Sequence, residues 1–389
     1  MKRPVLVHCL YRQDVFCPSK YKAETRKEYQ MNTTMQSKKL RVLVFFGGCS
    51  SEYGVSLSSA AGVLLHLDRE QYQPVTVGIT QEGKWYYYTG STEEILSDTW
   101  QDEKFCIPCV LSPNRGERCL LLLKGADPER ISIDIALPVL HGKNGEDGTL
   151  QGLLELAGIP LAGCGTLASA LCMDKDRAHR LVSLAGIRVP RSLVLDSPSL
   201  TEDELMREIS YQGLSCPLYV KPVKAGSSYG VTKVNTPDEL RDAYLLSFQY
   251  DNQVILEENI EGFEVGCAVL GSRELTIGEV DEIQLAGGFF DFTEKYTLKT
   301  SSIHVPARIS PEKAKEVKDT AARIYRALGC SGFARVDMFL TPAGEIVFNE
   351  VNTIPGFTAH SRYPGMMKAA GYRFNEVLTM ILEDALCSH

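Results

Sequence analysis

The sequence predicts an α/β and α+β protein of more than one domain, and three stretches carry that expectation. Arg41 to Phe46 is a compact β-rich run that ends in Gly47-Gly48-Cys49-Ser50-Ser51-Glu52 and gives way to a helical pattern from Val55 to Leu67, the strand, turn and helix that open an α/β domain. Val336 to Leu340 and Ile346 to Val351 are two apolar runs separated by Pro342-Ala343-Gly344, which reads as an antiparallel hairpin. Before it, Ser310-Pro311-Glu312 starts a strongly periodic helix running to about Leu328. At 389 residues and 44% hydrophobic content, the chain can fill two or three cores.

Composition narrows the class of partner. A net charge of -8 and a pI near 5.5 argue against a nucleic-acid surface or a membrane-surface binder and favour small-molecule substrates. No run reaches the roughly 18 apolar residues needed to span a bilayer, and no secretory core starts the chain, so the expected location is the cytoplasm. The twelve cysteines lack the spacing of a disulfide framework, which predicts reduced core thiols, and Cys106 and Cys109 are a chance Cys-x-x-Cys pair with Pro108 between them.

The hairpin is where chemistry is expected. Opposed strands bring Asp337 near Glu350 and Asn352, and three oxygen-bearing side chains on an inner face are costly without a cation. Ligands of this hardness suit Mg2+, with substrate phosphates completing its shell. Solvated acids on an exposed hairpin explain the spacing equally well.

Residues 1–38 are polar, with seven Lys or Arg against three acids up to Gln30, and are expected to form a disordered tail; Met31 and Met35 are candidate natural starts. The turn after the first strand is not a dinucleotide fingerprint, because the glycine that follows is Gly54, at the wrong interval, which leaves a nicotinamide-dependent dehydrogenase a weak competitor. Glu52, at the sheet's carboxyl edge, can hold a substrate ammonium group or simply sit at a helix N-terminus. Further strands are expected at Pro74 to Ile79, Trp85 to Tyr88, Cys119 to Leu123 and Ile133 to Leu140, the last running into the loop His141 to Gly148 and the helix Thr149 to Ala157. His141 either touches substrate or is a satisfied structural histidine.

A domain boundary is expected near Ile159 to Gly165, followed by helices Leu167 to Met173 and Asp176 to Ala185. Lys175 between them can meet a phosphate or be merely solvated. The strand Leu218 to Pro222 leads into Val223 to Val231, where Gly226, Ser227 and Ser228 let backbone N–H groups approach phosphate while Lys221 and Lys224 add charge; a plain hairpin turn is nearly as good a reading. Helix Pro237 to Phe248 and strand Val254 to Glu257 precede Asn259 to Gly262, a hinge suited to adenine. Strands Phe263 to Leu270 and Glu274 to Ile283 follow, then a polar loop, Gly287 to Thr300, expected to be a lid. A last helix, Phe374 to Ala385, is expected to pack on the first domain.

These stretches carry a resemblance. In order along the chain stand Gly-Gly-Cys-Ser-Ser-Glu, His-Gly-Lys-Asn-Gly-Glu-Asp-Gly-Thr-Leu-Gln-Gly, Met-Asp-Lys, Val-Lys-Pro, Ala-Gly-Ser-Ser-Tyr-Gly, Glu-Lys-Tyr and Asn-Glu-Val-Asn-Thr-Ile-Pro-Gly. From about Arg41 to Glu383 the sequence resembles the D-alanine–D-X ligases of the ATP-grasp superfamily, most closely the G-type D-alanine–D-serine ligases of vancomycin resistance. The resemblance implies a three-domain ATP-grasp ligase with an N-terminal Rossmann-like (pre-ATP-grasp) domain over 39–162, a central domain over 163–258 and a C-terminal domain over 259–389 with the metal site and an omega-type loop. It implies a bacterial cytoplasmic homodimer acting in peptidoglycan synthesis, with ATP, two Mg2+ ions (or Mn2+), D-alanine and D-serine as ligands.

Residue by residue, it implies Lys175, Lys221, Gly226, Ser228 and Lys295 around the phosphates, Glu257, Glu258 and Ile260 around adenine, and Glu264 on the ribose. Asp337, Glu350 and Asn352 would hold the metals. Arg335 and the N–H of Gly356 would stabilise the tetrahedral oxyanion, a term worth about 3 kcal/mol per donor in such sites. Glu52 would bind the first D-alanine's ammonium group, linked through Ser227 to Tyr296 to draw the long loop shut. His141 and Ser361 would also line the substrate site.

The acceptor depends on two places. Glu294-Lys295-Tyr296 keeps the tyrosine of amine-using ligases, against D-lactate, and position 362 reads His360-Ser361-Arg362 where ordinary D-alanine ligases resemble His-Ser-Leu. A guanidinium can donate to a hydroxyl and must be paired if buried, so Asp281 is the expected partner, with Phe290 beside it. Gly54 stands where relatives often carry Glu. A nucleotide-binding regulator without chemistry is the reading from another class, opposed by the intact set Ser227, Arg335, Asp337, Glu350 and Asn352.

Overall fold

The computed structural model describes residues 39–226, 229–285 and 301–388. In chain order the elements are β1 (Leu40–Gly47), α1 (Tyr53–His66), β2 (Tyr72–Ile79), β3 (Trp85–Tyr88), α2 (Thr92–Leu96), β4 (Cys106–Leu111), β5 (Cys119–Leu122), β6 (Glu129–Ser132), β7 (Ile135–Pro138) and α3 (Thr149–Ala157). Then come α4 (Thr166–Met173), α5 (Lys175–Leu184), β8 (Ser192–Leu195), α6 (Glu202–Tyr211), β9 (Leu218–Pro222), β10 (Thr232–Val234), α7 (Leu240–Ser247) and β11 (Val254–Glu258). The last stretch holds β12 (Phe263–Leu270), β13 (Thr276–Leu285), β14 (Ser301–His304), α8 (Pro311–Ala327), β15 (Phe333–Leu340), β16 (Ile346–Asn352), α9 (Arg362–Ala369) and α10 (Phe374–Cys387).

Three sheets follow one another along the chain, with strand orders β6-β5-β4-β3-β2-β1-β7, β10-β9-β11-β8 and β14-β13-β12-β15-β16. In the first, β1 lies between parallel neighbours β2 and β7. Its near-continuous apolar sequence, Leu-Arg-Val-Leu-Val-Phe-Phe-Gly, suits a strand covered on both faces, and Val42 to Phe46 are fully buried. Beyond β2 the pairing turns antiparallel out to β6. The other two sheets are antiparallel throughout. This mixture of one sheet with a parallel portion and two antiparallel ones agrees with the α/β and α+β expectation. No helix among the described residues is long and apolar enough to cross a membrane.

One core joins the first sheet to the end of the chain. Val42, Val44 and Phe46 of β1 and Leu57 and Val63 of α1 share a cluster with Tyr363 and Met366 of α9 and Val377, Leu378, Ile381 and Leu382 of α10. The final helix thus packs where its amphipathic pattern led one to expect.

The structure adds elements the pattern did not announce: α2, β4, β6, β8, α6, β14 and α9. Cys106 and Cys109 both lie on β4, where Cys106 Sγ donates to the carbonyl of Trp100. Ten described cysteines are free thiols. The expected tail at 1–38 and the lid at 287–300 fall outside the described residues.

Candidate active site

The hairpin β15–β16 sets Asp337 opposite Glu350 and Arg335 opposite Asn352, with a register shift just after Asp337. Residues two apart on a strand share a face, so Arg335, Asp337, Glu350 and Asn352 form one polar patch. Asp337 is 1% exposed. Its carboxylate accepts from Arg335 Nε at 2.8 Å and Nη2 at 2.7 Å and from Asn352 Nδ2 at 3.0 Å. Arg362 Nη2 lies 3.3 Å from its other oxygen. Two guanidinium groups thus already offset the charge of Asp337. Burial pulls the Arg335 pKa down, but the Asp337 carboxylate outweighs it and the net shift is upward. Among the described residues no three of His, Cys, Asp and Glu form a metal cage. A divalent cation would be held by two carboxylates and the Asn352 amide, and these hard oxygen donors fit Mg2+ with phosphates in the remaining positions.

Arg362 is neither exposed nor on a loop. It is the first residue of α9, where a cation is disfavoured by the helix dipole. Three carboxylates hold it there. Its Nε and Nη2 donate to Asp281 at 2.7 and 2.9 Å, and Nη1 donates to Glu264 at 2.6 Å. Asp281 is fully buried, and the Arg362 pKa is raised well above normal as Asp281, Asp337 and Glu264 overcome desolvation. The sequence paired Arg362 with Asp281 but assigned Glu264 to a ribose alone; Glu264 reaches Arg362 as well.

Glu264 also lines a cleft of about 710 Å³ between the second and third sheets. Lys175, Lys221, Glu257, Glu258, Ile260 and Glu350 face it too. Lys221 Nζ sits 2.5 Å from Glu257 Oε2, and Lys175 Nζ donates to the carbonyl of Ala225 at 2.8 Å. Burial raises and Lys221 lowers the Glu257 pKa, with a net downward shift. The other oxygen, Glu257 Oε1, is buried with no hydrogen-bond partner among the described residues. An orphaned acceptor beside two lysines fits a nucleotide whose amino group and phosphates satisfy them.

Glu52, 7% exposed, lies just beyond the carboxyl end of β1. A Cβ at Gly142 or Gly226 would stand 2.5 or 2.6 Å from its Oε2, so two loops close on this carboxylate through glycines. Gly226 thereby sits beside Glu52, while Ala225 lines the cleft at this loop. Ser361 Oγ accepts from Thr358 N at 3.0 Å and stands beside Gly356. Ser227, Ser228, Phe290, Lys295 and Tyr296 lie outside the described residues.

His141 is buried within the protein. Its Nδ1 is 2.8 Å from the carbonyl of Ile354 and its Nε2 3.0 Å from Ser59 Oγ, so both ring nitrogens are engaged within the protein, and burial lowers its pKa. It fastens the loop after β16, as the structural reading of this histidine expects. The sequence reading missed its companion. Glu146 Oε1 accepts from Ile354 N and Oε2 from Gly142 N, both at 2.9 Å, and burial followed by the charge of Glu52 pushes its pKa up to about 8. The polar loop Gly-Glu-Asp-Gly was the signal, since a carboxyl between glycines invites backbone donors.

Family matches agree with this geometry. The family described as "D-ala D-ala ligase N-terminus" matches residues 41–164, and "D-ala D-ala ligase C-terminus" matches residues 181–383. The chain belongs to the D-alanine–D-alanine ligase family. It is 55% identical to the crystal structure of VanG D-Ala:D-Ser ligase from Enterococcus faecalis, at a TM-score of 0.82 over 90% of this chain and 100% of that one. A putative D-alanine–D-lactate ligase from Streptomyces coelicolor is 45% identical over 353 residues, 90% of this chain and 98% of the relative. A D-alanine–D-alanine ligase from Caldicellulosiruptor bescii is 42% identical over 351 residues, 90% of this chain and 95% of the relative. As a D-alanine–D-X ligase the protein uses ATP and a divalent cation, for which the cleft and hairpin have suitable residues.

Proposed function

We propose that this ligase joins D-alanine to D-serine through a D-alanyl phosphate, supplying the altered peptidoglycan terminus of vancomycin resistance in the bacterial cytoplasm. The observation that carries the reading is Arg362, buried and held by Asp281 and Glu264 beside the hairpin patch. Three of its five N–H groups are committed there and Nη2 also faces Asp337 at 3.3 Å, which leaves an Nη1 N–H for an acceptor hydroxyl. D-alanine has only a methyl group at that place, and a site built to donate a hydrogen bond rejects a ligand that cannot accept one. The similarity to VanG supports the same acceptor, and the Glu294-Lys295-Tyr296 sequence favours an amine over D-lactate.

The chain's groups divide the work. Lys175 and Lys221 hold the phosphates of ATP, and Glu257 takes the adenine amino group. Glu52 holds the ammonium of the first D-alanine, leaving its carboxylate to attack the γ-phosphorus while the bond to the leaving ADP breaks. When bound at Asp337, Glu350 and Asn352, Mg2+ would neutralise charge on the transferring phosphoryl group. The acceptor's amine then attacks the acyl carbon. Arg335 and the Gly356 N–H stabilise the tetrahedral oxyanion as it develops, and phosphate leaves.

A competition assay with equal D-alanine and D-serine, resolving the two dipeptides, tests the acceptor. D-alanyl-D-serine should dominate, and Arg362→Leu should move the product ratio toward D-alanyl-D-alanine by about tenfold or more. Predominant D-alanyl-D-alanine from the unaltered enzyme would assign it to ordinary cell-wall synthesis, and ATP binding without phosphate release would make it a regulator.

A further inference from the structure

Strand β12 runs between β13 and β15 in the third sheet, and its residue 266 faces Asp281 on one neighbour and Asp337 on the other in register. That residue is glycine, which weakens a strand interior and marks places where something approaches the backbone closely. Its φ lies outside the left-handed region, so the backbone would accept any side chain. Space would not. A Cβ there would collide with Arg362 Nη2 and stand 2.6 Å from Asp281 Oδ1 and 2.9 Å from Met366 Cε. These are the tips of side chains rather than backbone, so a methyl group would displace those tips first.

The same residue also fixes the arginine's counter-charge. Gly266 N donates to Asp281 Oδ1 at 2.8 Å, the oxygen that receives Arg362 Nη2 at 2.9 Å. Guanidinium, carboxylate and peptide N–H therefore meet over one Cα that carries no side chain. A second carboxylate, Glu264, two residues along the strand, receives Nη1. Moving the guanidinium outward by the width of a methyl group would break the bidentate contact, whose geometry tolerates little displacement.

We propose that Gly266 is a positioning residue for acceptor choice: its missing side chain opens the seat in which Asp281 and Glu264 hold Arg362, and its N–H fixes the Asp281 carboxylate. The proposal rests on the reading that Arg362 selects the acceptor. It assigns the selective arginine a condition elsewhere in the chain, at a glycine that itself touches no substrate in the assignment above.

The test uses the full-length enzyme in four forms: unaltered, Gly266→Ala, Arg362→Leu and the double variant. Gly266→Ala should raise KM for D-serine and lower the D-serine to D-alanine product ratio about tenfold while KM for ATP stays near that of the parent, with some fall in thermal midpoint from the disturbed buried pair. Added to Arg362→Leu it should change the ratio no further, because the group it displaces is gone. A ratio that Gly266→Ala leaves within about twofold of the parent, while Arg362→Leu shifts it, overturns the role of Gly266 and spares that of Arg362. A ratio untouched by Arg362→Leu overturns the reading beneath it. Equal loss of turnover with both acceptors together with a lowered thermal midpoint would make the glycine a packing requirement and end the proposal. If Gly266→Ala fails to fold, folding of the double variant supports the clash with the guanidinium, and failure of both overturns it.

Discussion

Asp337 has two opposite neighbours competing for it, the guanidinium groups of Arg335 and Arg362 and the cation that the family's chemistry requires. Asp337→Asn keeps the shape and the bond to Asn352 but removes the charge that compensates both arginines. Turnover should fall below detection with either acceptor. Unlike a purely metal-binding carboxylate, its loss should also destabilise the fold, by about 3 kcal/mol, because a buried cation is left short of a partner. Urea unfolding beside phosphate release checks both; full stability with no turnover would show that the arginines do not depend on Asp337. Glu146 supports a prediction in pH. Its folded pKa, raised to about 8 from 4.5 by burial and Glu52, means that the folded chain keeps a proton the unfolded chain releases. The stabilisation is complete below the unfolded value and is lost as pH rises through about 8. Glu146→Gln should remove that slope. His141, whose pKa is lowered by burial, works in the opposite direction as pH falls, so the quantity to follow is the difference between parent and variant in urea midpoint from about pH 5 to pH 8. A difference independent of pH would refute the raised carboxyl.

Between residues and the whole lies the loop after β16, which carries Gly356 and is fastened from the first sheet's side. Glu146 takes the Ile354 N–H, His141 meets the Ile354 carbonyl, and Ser59 Oγ accepts from Phe357 N at 3.1 Å. Ser59→Ala leaves a buried N–H and a ring nitrogen unpartnered, at a cost of about 1 to 3 kcal/mol. It should lower kcat more than it raises KM for ATP, since the loop stands by the oxyanion rather than the nucleotide. Steady-state kinetics with a melting curve would show this, and an unchanged kcat would detach the loop from the chemistry. The hairpin before this loop was legible in the sequence because alternation and a Pro-Ala-Gly turn coincide there. α9 was not, because Pro364 and Gly365 lie in its first turns, where proline costs a helix little but looks like a break. β4 was hidden by Pro108 between two cysteines. α6 had an unread signal in Thr201 and Glu204, a reciprocal cap ahead of Leu205 and Ile209 on one face. The partners of Arg362 were half legible: chemistry demanded a carboxylate and pointed to Asp281, but Glu264 and Asp337 join only through the register of β12, β13 and β15, which no local pattern encodes.

At the scale of the molecule, the shared core decides how the chain comes apart. Leu382 of α10 is fully buried in the same cluster as β1 and α1, although some three hundred residues of chain separate them. Both tryptophans, Trp85 and Trp100, lie on the first sheet's side, and Trp100 is fully buried against Phe46. A fluorescence signal therefore reports on the N-terminal part alone. If that part were stable by itself, a cavity in α10 would leave its midpoint alone. Because the cluster is continuous, Leu382→Ala should cost about 2 to 5 kcal/mol and shift the tryptophan midpoint in urea by the same amount as the far-UV helix signal. The site makes the same demand, since Glu52 comes from the first sheet's end of that core and Gly356 and Arg362 from the loop and helix packed on its far side. Coincident transitions would mean that substrate-binding groups from both ends of the chain are held by a single cooperative unit. A tryptophan midpoint that stayed fixed while the helix signal moved would show two units, and the alignment of Glu52 with the hairpin would then have to come from bound ligands.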